Sequence, residues 1–464
     1  MMLGSERRAF WVLFLALWAL YAAIPQRGPE SSLVGAQLEN IVERGRLHFV
    51  EGEMIGPTRF LNTETQTESF RVLFNVFPAG DVFRVNHAPG LFLIAAPIYA
   101  ASTVMGLRFE SHESVVWWIL IVTLVAPLGA LAVACLFVIL SRWGVGQRTA
   151  FWSALAFGIA SPWWAGSGLL NQDSVALAAL LAAAALLERD YDPGARRAKA
   201  ALGLGGFLAG LSVLTSYLVV PVAAGLVAFW VIRHRDARAR AAIVLGGLPP
   251  VVVLAGYHTL AFGAPWRTGY GEGGFSLNYP SIDLANSIEK LHFYLTHPEY
   301  GLVFLFPLFA LGALGMLRTE WPRRRLVAIG SLMMVHFVFI VSIEHHGSVG
   351  YGIGRFFLPL FPLLALGLPA VMDHGGRGMF LLRVLLVSSV LVSAFHAWAG
   401  AWYGLQGVME PQLANMSQRL RLELPLLYPL LPLLAVILGL AVAARQRAQE
   451  ALAVKAVEGS SLLD

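Results

Sequence analysis

Residues 115–140 read VVWWILIVTLVAPLGALAVACLFVIL, and this run decides the fold class. It carries no charged side chain, and roughly 20 apolar residues suffice to cross the hydrocarbon layer of a bilayer as a helix. Lipid tolerates only helices and closed barrels, and barrel strands alternate apolar with polar residues. The unbroken apolar run therefore predicts a membrane-spanning helix.

Similar runs recur along the whole chain. Of 464 residues, 57% are hydrophobic and only 13% are charged, against roughly 25% charged in soluble domains. The sequence predicts an all-α polytopic membrane protein, a single membrane domain over residues 1–464 with about 12 transmembrane helices and no separate soluble domain. The predicted spans are 9–25, 115–140, 149–166, 173–188, 201–217, 219–233, 242–263, 301–317, 327–343, 356–372, 379–398 and 426–443.

The apolar segment 91–105 is short and contains Pro97, and the charge distribution decides whether it crosses. If it does not cross, the loops on one side hold 20 Lys and Arg, and the short loops on the other side hold 5. Basic residues concentrate on the cytoplasmic side of membrane proteins. We therefore expect 91–105 to lie along the membrane or re-enter it, with both termini cytoplasmic.

This topology makes residues 26–114 a long extracytoplasmic loop with two juxtamembrane helices, 31–44 and 91–105, and it makes 444–464 a short cytoplasmic tail. Within 31–44, Val34, Leu38, Ile41 and Val42 share one helical face, with the polar residues elsewhere. That pattern predicts an interfacial helix.

Composition also excludes other classes. The lone Cys135 lies inside an apolar run, so the chain alone offers neither a disulfide nor a thiolate metal site. The sequence pI is about 9.4, but the basic residues sit in short loops between spans, which is a topology signal rather than a nucleic-acid patch. The N-terminal apolar run lacks a small-residue cleavage site, which favours an uncleaved first helix.

Ionisable residues near membrane depth mark the candidate sites. Glu30 follows the first span, where it either caps the next helix or acts as a general base at the membrane surface. The run 81–90 (DVFRVNHAPG) places Asp81, Arg84, Asn86 and His87 before an apolar segment, either as a plain helix start or as a polar cluster at the interface.

Two further outer loops carry candidates. In residues 169–174 (LLNQDS), we expect Asp173 to cap the following helix, with Asn171 and Gln172 facing a cavity. Residues 344–356 (EHHGSVGYGIGRF) hold Glu344, His345, His346 and Tyr351, and Arg355 opens the next span. A guanidinium there can fork onto phosphate oxygens, or it can simply snorkel to the interface. Adjacent acid and histidine residues rarely converge on one metal ion.

In order along the chain, these segments resemble the GT-C superfamily of membrane glycosyltransferases, in particular its bacterial protein-mannosyltransferase-like and aminoarabinose-transferase-like branch. The layout is similar over most of the chain, although each motif is short. The segments that carry the resemblance are 30–47 (ESSLVGAQLENIVERGRL), 86–90 (NHAPG), 96–99 (APIY), 297–302 (HPEYGL) and 352–359 (GIGRFFLP).

The resemblance implies transfer of a sugar, with inversion, from a polyprenyl-phosphate-linked donor to an acceptor on the outer face of the bacterial inner membrane. It implies Glu30 as catalytic base and Arg355 as ligand of the donor phosphate, helped by His87, Arg84 and Asn86. Glu30 stands without the second acid that the family often has, and His87 stands where the family often has lysine. These departures leave open whether a divalent metal, Mg²⁺ or Mn²⁺, takes part.

Two other function classes remain at the sequence level. One is a flippase or transporter of lipid-linked saccharides, which should carry ionisable residues at mid-span and paired broken helices. Here His336 and Arg383 lie within spans, but the carboxylates lie at span ends, which favours an enzyme working from one face. The other is a polysaccharide polymerase or ligase that uses the same carrier lipid.

Overall fold

The computed structural model describes residues 4–23, 25, 31–50, 76–79, 82–85, 87–188, 196–268, 288–289, 291–292, 295–296, 303, 306–342, 355–372 and 377–406. These residues are mainly helical, as the sequence predicts. The helices are α1 Gly4–Ala23, α2 Ser31–Val42, α3 Gly90–Val104, α4 Phe109–Leu120, α5 Ala126–Arg142, α6 Gln147–Ile159, α7 Trp163–Ser167, α8 Gln172–Leu187, α9 Arg196–Thr215, α10 Val220–Arg233, α11 Ala237–Phe262, α12 Pro307–Met316, α13 Arg323–Ser342, α14 Leu360–Ala365, α15 Leu368–Met372 and α16 Arg377–Gln406.

Among these residues, four helical stretches are long and apolar enough to cross a membrane, by length and composition: Phe109–Arg142, Ala198–Thr215, Ala237–Phe262 and Arg323–Val341. Shorter apolar helices accompany them. The first stretch joins α4 to α5 through the π-helical turn Ile121–Val125. Its 34 residues span about 51 Å at 1.5 Å per residue, more than the hydrocarbon layer needs, so we infer that α4 extends beyond the bilayer.

Two predicted spans are broken rather than continuous. The span expected at 149–166 ends as α6 at Ile159 and resumes as α7 at Trp163, because Pro162 cannot donate a helical hydrogen bond. The Ser161 hydroxyl serves the break by donating to the Phe157 carbonyl at 2.6 Å and accepting from the Trp163 amide at 3.1 Å. The span expected at 356–372 is likewise divided into a 3-10 turn, α14 and α15.

The main core joins α1, α5, α6 and α8, and aromatic side chains fasten it through buried backbone carbonyls. The Trp18 indole donates to the Val122 carbonyl at 2.9 Å, and the Tyr21 hydroxyl donates to the Gly158 carbonyl at 2.9 Å. The Trp163 indole donates to the carbonyl of Gly129 at 3.1 Å. A buried indole or phenol needs such a partner, so these three bonds fix how the helices meet.

Helices α9 and α11 cross at contact distance through facing glycines. A Cβ atom at Gly246 would overlap the Gly203 carbonyl, and a Cβ atom at Gly206 would overlap the Ile243 carbonyl. Small residues allow membrane helices to approach backbone to backbone, where dispersion contacts are densest. The opposite face of α11 is open, with Leu245 64% exposed and Val252 58% exposed, as expected of a face that meets lipid.

Within residues 26–114, helix α2 falls in the segment 31–44 and helix α3 covers most of the segment 91–105, and α2 packs against α3. That these helices lie along the outer face of the membrane stays a prediction. Val34 and Leu38, on the predicted apolar face, are buried. Gln37 and Asn40 are also buried, although helical periodicity places them off that face. The reason is that the chain folds back over these two residues, so that their amide groups donate to the carbonyls of Leu47 and His48.

The same loop also contains a small antiparallel sheet that the sequence did not predict. Strands β1 Phe49–Val50, β2 Val76–Ala79 and β3 Val82–Val85 lie in the order β1-β3-β2. Strand β3 leads within five residues into α3. The sheet therefore positions the start of α3, where several of the predicted site residues lie.

The close contact between α9 and α11 at their glycines should make the fold sensitive to larger side chains there. We expect Gly246→Val to lower the free energy of unfolding by about 1–3 kcal/mol, because overpacking forces the two backbones apart. Thermal unfolding of the purified protein in detergent measures the effect. Gly256→Val is the matched control on the same helix, since a Cβ atom at Gly256 meets nothing within 4 Å. Equal destabilisation by both variants would contradict the packing role of Gly246.

Candidate functional site

A buried polar cluster joins the start of α8 to the end of α9. We call it the polar junction and define it as Asn171, Gln172, Asp173, Ser174 and Ser216. Each side chain is at most 6% exposed. The Ser216 hydroxyl donates to Oδ1 of Asp173 at 2.6 Å. Burying a carboxylate is costly unless hydrogen bonds compensate it, so this bond holds the two helix ends together.

The roles within the polar junction differ from those expected. Asp173 was predicted to cap α8, but the N-cap is Asn171, whose Oδ1 accepts from the Asp173 amide at 2.8 Å. The prediction was wrong because both residues are good caps and only the backbone decides between them. Because Asn171 caps α8, the Asp173 carboxylate is not needed as a cap and accepts the hydrogen bond from Ser216.

His87 is 2% exposed, and the segment that carries it approaches the end of α9 that belongs to this cluster. Two contacts fix the segment that carries it. On one side, the Tyr257 hydroxyl donates to the Val85 carbonyl at 3.1 Å. On the other side, Gly90 packs so closely that a Cβ atom there would lie 2.6 Å from Oγ1 of Thr215. Thr215 directly precedes Ser216, so His87 and Asp173 approach the same end of α9.

A tyrosine–histidine pair supports the same region. Nδ1 of His258 lies 3.1 Å from the Pro265 carbonyl, which can only accept a hydrogen bond, so Nδ1 carries a hydrogen. In a neutral ring, Nε2 then accepts from the Tyr217 hydroxyl at 2.7 Å. Tyr217 follows Ser216 and His258 follows Tyr257, so the pair ties α11 to the polar junction.

The backbone of Arg355 opens a 3-10 turn, Arg355–Phe357, that borders the same end of the bundle. Nε2 of His336 in α13 donates to the Phe356 carbonyl at 2.9 Å. At Gly166, an added Cβ atom would lie 2.7 Å from Oγ of Ser174 and 3.8 Å from Leu358. The Arg355 turn and the start of α8 therefore flank the same glycine of α7.

The structure thus brings together His87, Asn171, Asp173 and the segment of Arg355. Arg84 lies in β3, where its backbone pairs with Phe77. The remaining predicted site residues lie outside the described residues: Glu30, Asp81, Asn86, Glu344, His345, His346 and Tyr351.

Sequence reasoning missed Ser216, Tyr217, Tyr257 and His258. Each is a polar or amphipathic residue at or near the end of an apolar run, and that position was the available signal. Sequence position alone does not distinguish these residues from the interfacial tyrosines and tryptophans of membrane helices, because only tertiary contacts pair Tyr217 with His258 and Tyr257 with Val85.

An acidic group lies between α2, α3 and α4, away from the polar junction. Burial raises the pKa of Glu39 to about 7, and the nearby carboxylate of Glu43 adds to the increase. Glu43 itself accepts from the Tyr99 hydroxyl at 2.6 Å and lies 3.6 Å from a guanidinium nitrogen of Arg108. These contacts hold α2 against the α3–α4 hairpin.

For a metal ion, the described residues offer little. No group of three or more His, Cys, Asp or Glu side chains among them is placed to hold one. Mg²⁺ and Mn²⁺ prefer several oxygen ligands, and of the acids predicted as site residues (Glu30, Asp81, Asp173 and Glu344) only Asp173 falls in the described part of the chain. The described side chains alone therefore do not form a divalent metal site.

No protein-family model matches the sequence, and no curated protein sequence matches it. Solved structures do resemble it. The oligosaccharyltransferase of Archaeoglobus fulgidus, in a complex with Zn and sulfate, is similar with a TM-score of 0.50 and 14% identity, over 85% of this chain and 53% of that one. The chain has a GT-C fold.

ArnT from Cupriavidus metallidurans, in a structure bound to undecaprenyl phosphate, is also similar, with 16% identity and a TM-score of 0.47 over 95% of this chain and 77% of that one. Both solved proteins are members of the GT-C superfamily. At 14% identity, the likeness to the oligosaccharyltransferase shows the fold alone, and the activity has to be argued from the site. This chain spans about half of the length of the oligosaccharyltransferase chain.

The acidic group gives a pH prediction. A carboxyl whose pKa is raised in the folded state binds its proton more tightly there than in the unfolded chain. Glu39 therefore stabilises the fold below its ordinary pKa of 4.5, and this contribution is lost as the pH rises through about 7. We expect the unfolding temperature of the wild type to fall as the pH rises from 4.5 to about 7. The part of this fall that comes from ionisation of Glu39 should be absent in Glu39→Gln.

The matched control is Glu320→Gln, which removes an exposed acid between α12 and α13. Thermal unfolding in detergent at a series of pH values compares the three proteins. A Glu39→Gln profile parallel to that of the wild type and of Glu320→Gln would contradict the assigned burial of Glu39.

Proposed function

We propose that this protein is a membrane glycosyltransferase that moves a sugar from a polyprenyl-phosphate-linked donor to an extracytoplasmic acceptor, with inversion. The observation that carries the proposal is the gathering of His87, Asn171, Asp173 and the Arg355 turn at one end of a GT-C fold. A hydrophobic donor requires apolar helices for its chain and polar groups at headgroup depth for its sugar phosphate.

In the proposed reaction, Glu30 acts as general base. Glu30 directly precedes α2, and α2 is anchored against α3 and α4 by the buried side chains of Val34 and Leu38. The acceptor hydroxyl or amine attacks the anomeric carbon and gives its proton to the Glu30 carboxylate, while the bond from that carbon to the phosphate oxygen breaks. Polyprenyl phosphate leaves with the bonding electron pair.

The leaving phosphate gains negative charge, so positively charged and N–H donors that meet it lower the barrier. We assign this role to the guanidinium of Arg355, with His87, Arg84 and Asn86 as further donors. Arg355 suits it because a guanidinium can bind two phosphate oxygens at once. Asn171 and Asp173 line the polar side of the site, and we propose that Asp81, Glu344, His345, His346 and Tyr351 border the same cavity.

We infer the cellular location of the protein from the predicted topology. We propose that the chain resides in the bacterial inner membrane, with cytoplasmic termini and an outward-facing site. The acceptor is a lipid, a glycan or a protein on that face. A transporter is disfavoured because, among the described residues, carboxylates such as Asp173 and Glu188 lie at helix ends rather than at mid-span, where transporters hold their coupling groups.

Replacing the proposed base is the direct test of the reaction. Glu30→Gln keeps the size of the side chain but cannot take a proton, and loss of a general base typically lowers the rate by about 10²–10⁴-fold. We expect this loss in purified proteoliposomes supplied with polyprenyl-phosphate sugar and acceptor extract, measured by product formation. Glu6→Gln, near the start of α1, is the control and should retain activity. Full transfer by Glu30→Gln would refute the assignment.

The topology is tested with single cysteines in a Cys135→Ala background. Ser111→Cys lies near the start of α4 and Arg148→Cys lies just beyond the end of α5, and both positions are exposed. Because one long apolar helix separates them, we expect a membrane-impermeant maleimide to label position 111 in intact spheroplasts and position 148 only after lysis. Labelling of both before lysis, or the reverse pattern, would overturn the orientation.

A further inference from the structure

A second cluster of charged and aromatic residues lies at the opposite end of α8. Glu188 follows the last residue of this 16-residue helix, so it lies about 24 Å from the polar junction at 1.5 Å per residue. The ends of α5 and α10 and the start of α13 meet there. We call this cluster the basic junction; its members are Arg142, Trp143, Glu188, Trp230, Arg233 and Arg325.

Among the described residues, the carboxylate of Glu188 contacts this cluster, and it forms an ion pair with Arg233. A terminal nitrogen of Arg233 lies 3.1 Å and 3.3 Å from the two oxygens of Glu188, whose side chain is 4% exposed. The Arg233 guanidinium also stacks on Trp230, 4.6 Å from the ring centroid. Arg142 donates to the Ala185 carbonyl of α8. Arg142 and Arg233 thus both interact with groups at the end of α8.

Arg325 is the guanidinium with unused donors. It stacks on Trp143 at 4.5 Å from the ring centroid, and it interacts electrostatically with Glu188 and Arg233. Its side chain makes no hydrogen bond or ion pair with any residue that the structure describes. A guanidinium has five N–H donors, so Arg325 can still bind an anion.

Two buried indole groups add to these donors. Nε1 of Trp143 and Nε1 of Trp230 are both buried and have no hydrogen-bond partner within the described part of the chain. Trp230 as a whole is only 2% exposed. An indole nitrogen only donates, so both groups require an acceptor. Cationic and neutral donors left without acceptors at one place indicate an anionic ligand rather than a solvated charged face.

The surroundings indicate that this anion belongs to a lipid. Ile232 and Leu317 flank the basic junction and are 81% and 84% exposed, which suits contact with acyl chains. Trp143 meets Trp321 edge to face, with the ring centroids 4.9 Å apart, and tryptophans gather where membrane helices reach the headgroups. We propose that the basic junction binds the phosphate of an anionic phospholipid from the leaflet at this end, through Arg325 and the indole of Trp143.

The competing explanation is a general attraction of basic loops to anionic membranes. Variants at two neighbouring arginines distinguish this attraction from a specific lipid site. Arg324→Gln and Arg325→Gln remove the same charge from adjacent positions of α13. Arg324 is exposed, whereas Arg325 stacks on Trp143. Trp143→Phe is a second variant that keeps an aromatic ring beneath Arg325 and removes the indole donor.

Native mass spectrometry of the detergent-solubilised protein, titrated with phosphatidylglycerol or phosphatidylcholine, measures the binding. We expect one phosphatidylglycerol to bind ahead of the rest, and Arg325→Gln to weaken it by about tenfold, the value of one charge-assisted hydrogen bond. Trp143→Phe should weaken it several-fold, roughly as a neutral hydrogen bond does. Arg324→Gln should change it by less than about twofold, and phosphatidylcholine should not compete.

The proposal is overturned if Arg324→Gln and Arg325→Gln weaken binding equally, because the attraction would then be general. It is also overturned if glycerol phosphate displaces the lipid at equal concentration, because the site would then select a soluble anion. A Trp143→Phe variant that folds and binds phosphatidylglycerol as the wild type does would remove the indole from the site.

Discussion

The buried hydrogen bond between Asp173 and Ser216 is the constraint on which the candidate site depends. The carboxyl group of Asp173 is 3% exposed and needs hydrogen-bond partners, because burial removes its hydration. The 2.6 Å bond from Ser216 therefore fixes the start of α8 against the end of α9. Thr215 directly precedes Ser216 and packs against Gly90. That contact holds the segment that carries His87.

Helix α8 separates two kinds of chemistry. Its first turn carries Asp173 and its last turn is followed by Glu188, with an apolar and mostly buried surface between them. At one end the carboxyl group of Asp173 meets a hydroxyl, and at the other end the carboxylate of Glu188 meets the guanidinium of Arg233. A sugar-phosphate reaction at the first end and a phospholipid at the second would use the same helix as a rigid spacer, and neither would disturb the other.

Much of the fold could be predicted from the sequence because apolar runs in a membrane protein have few alternatives to helix. The breaks within the predicted spans could not be predicted from the sequence. Ser161 and Pro162 interrupt a predicted span, and the break is stable because one hydroxyl satisfies both sides of it. The burial of Gln37 and Asn40 in α2 could not be predicted either, because their partners, the carbonyls of Leu47 and His48, belong to a chain reversal that helical periodicity does not show.

The site was predictable only in part, for a related physical reason. His87 and Asp173 stood out because charged or titratable residues are costly near a membrane. Ser216 and Tyr257 carry little such cost, so they resembled ordinary residues of a helix end. Ser216 and Asp173 are 43 residues apart along the chain, and Tyr257 and Val85 are 172 apart. Each pair nevertheless forms a hydrogen bond in the folded bundle. Spacing along a single sequence contains no signal of that kind.

The most direct measurement is an electron cryomicroscopy structure of the purified protein in a nanodisc with polyprenyl phosphate. We expect density for the phosphate at the end of α8 that carries the polar junction, within hydrogen-bond distance of the Arg355 guanidinium and facing Glu30. A phosphate bound at the Glu188 end of α8, or a Glu30 carboxylate directed away from it, would contradict the proposed site.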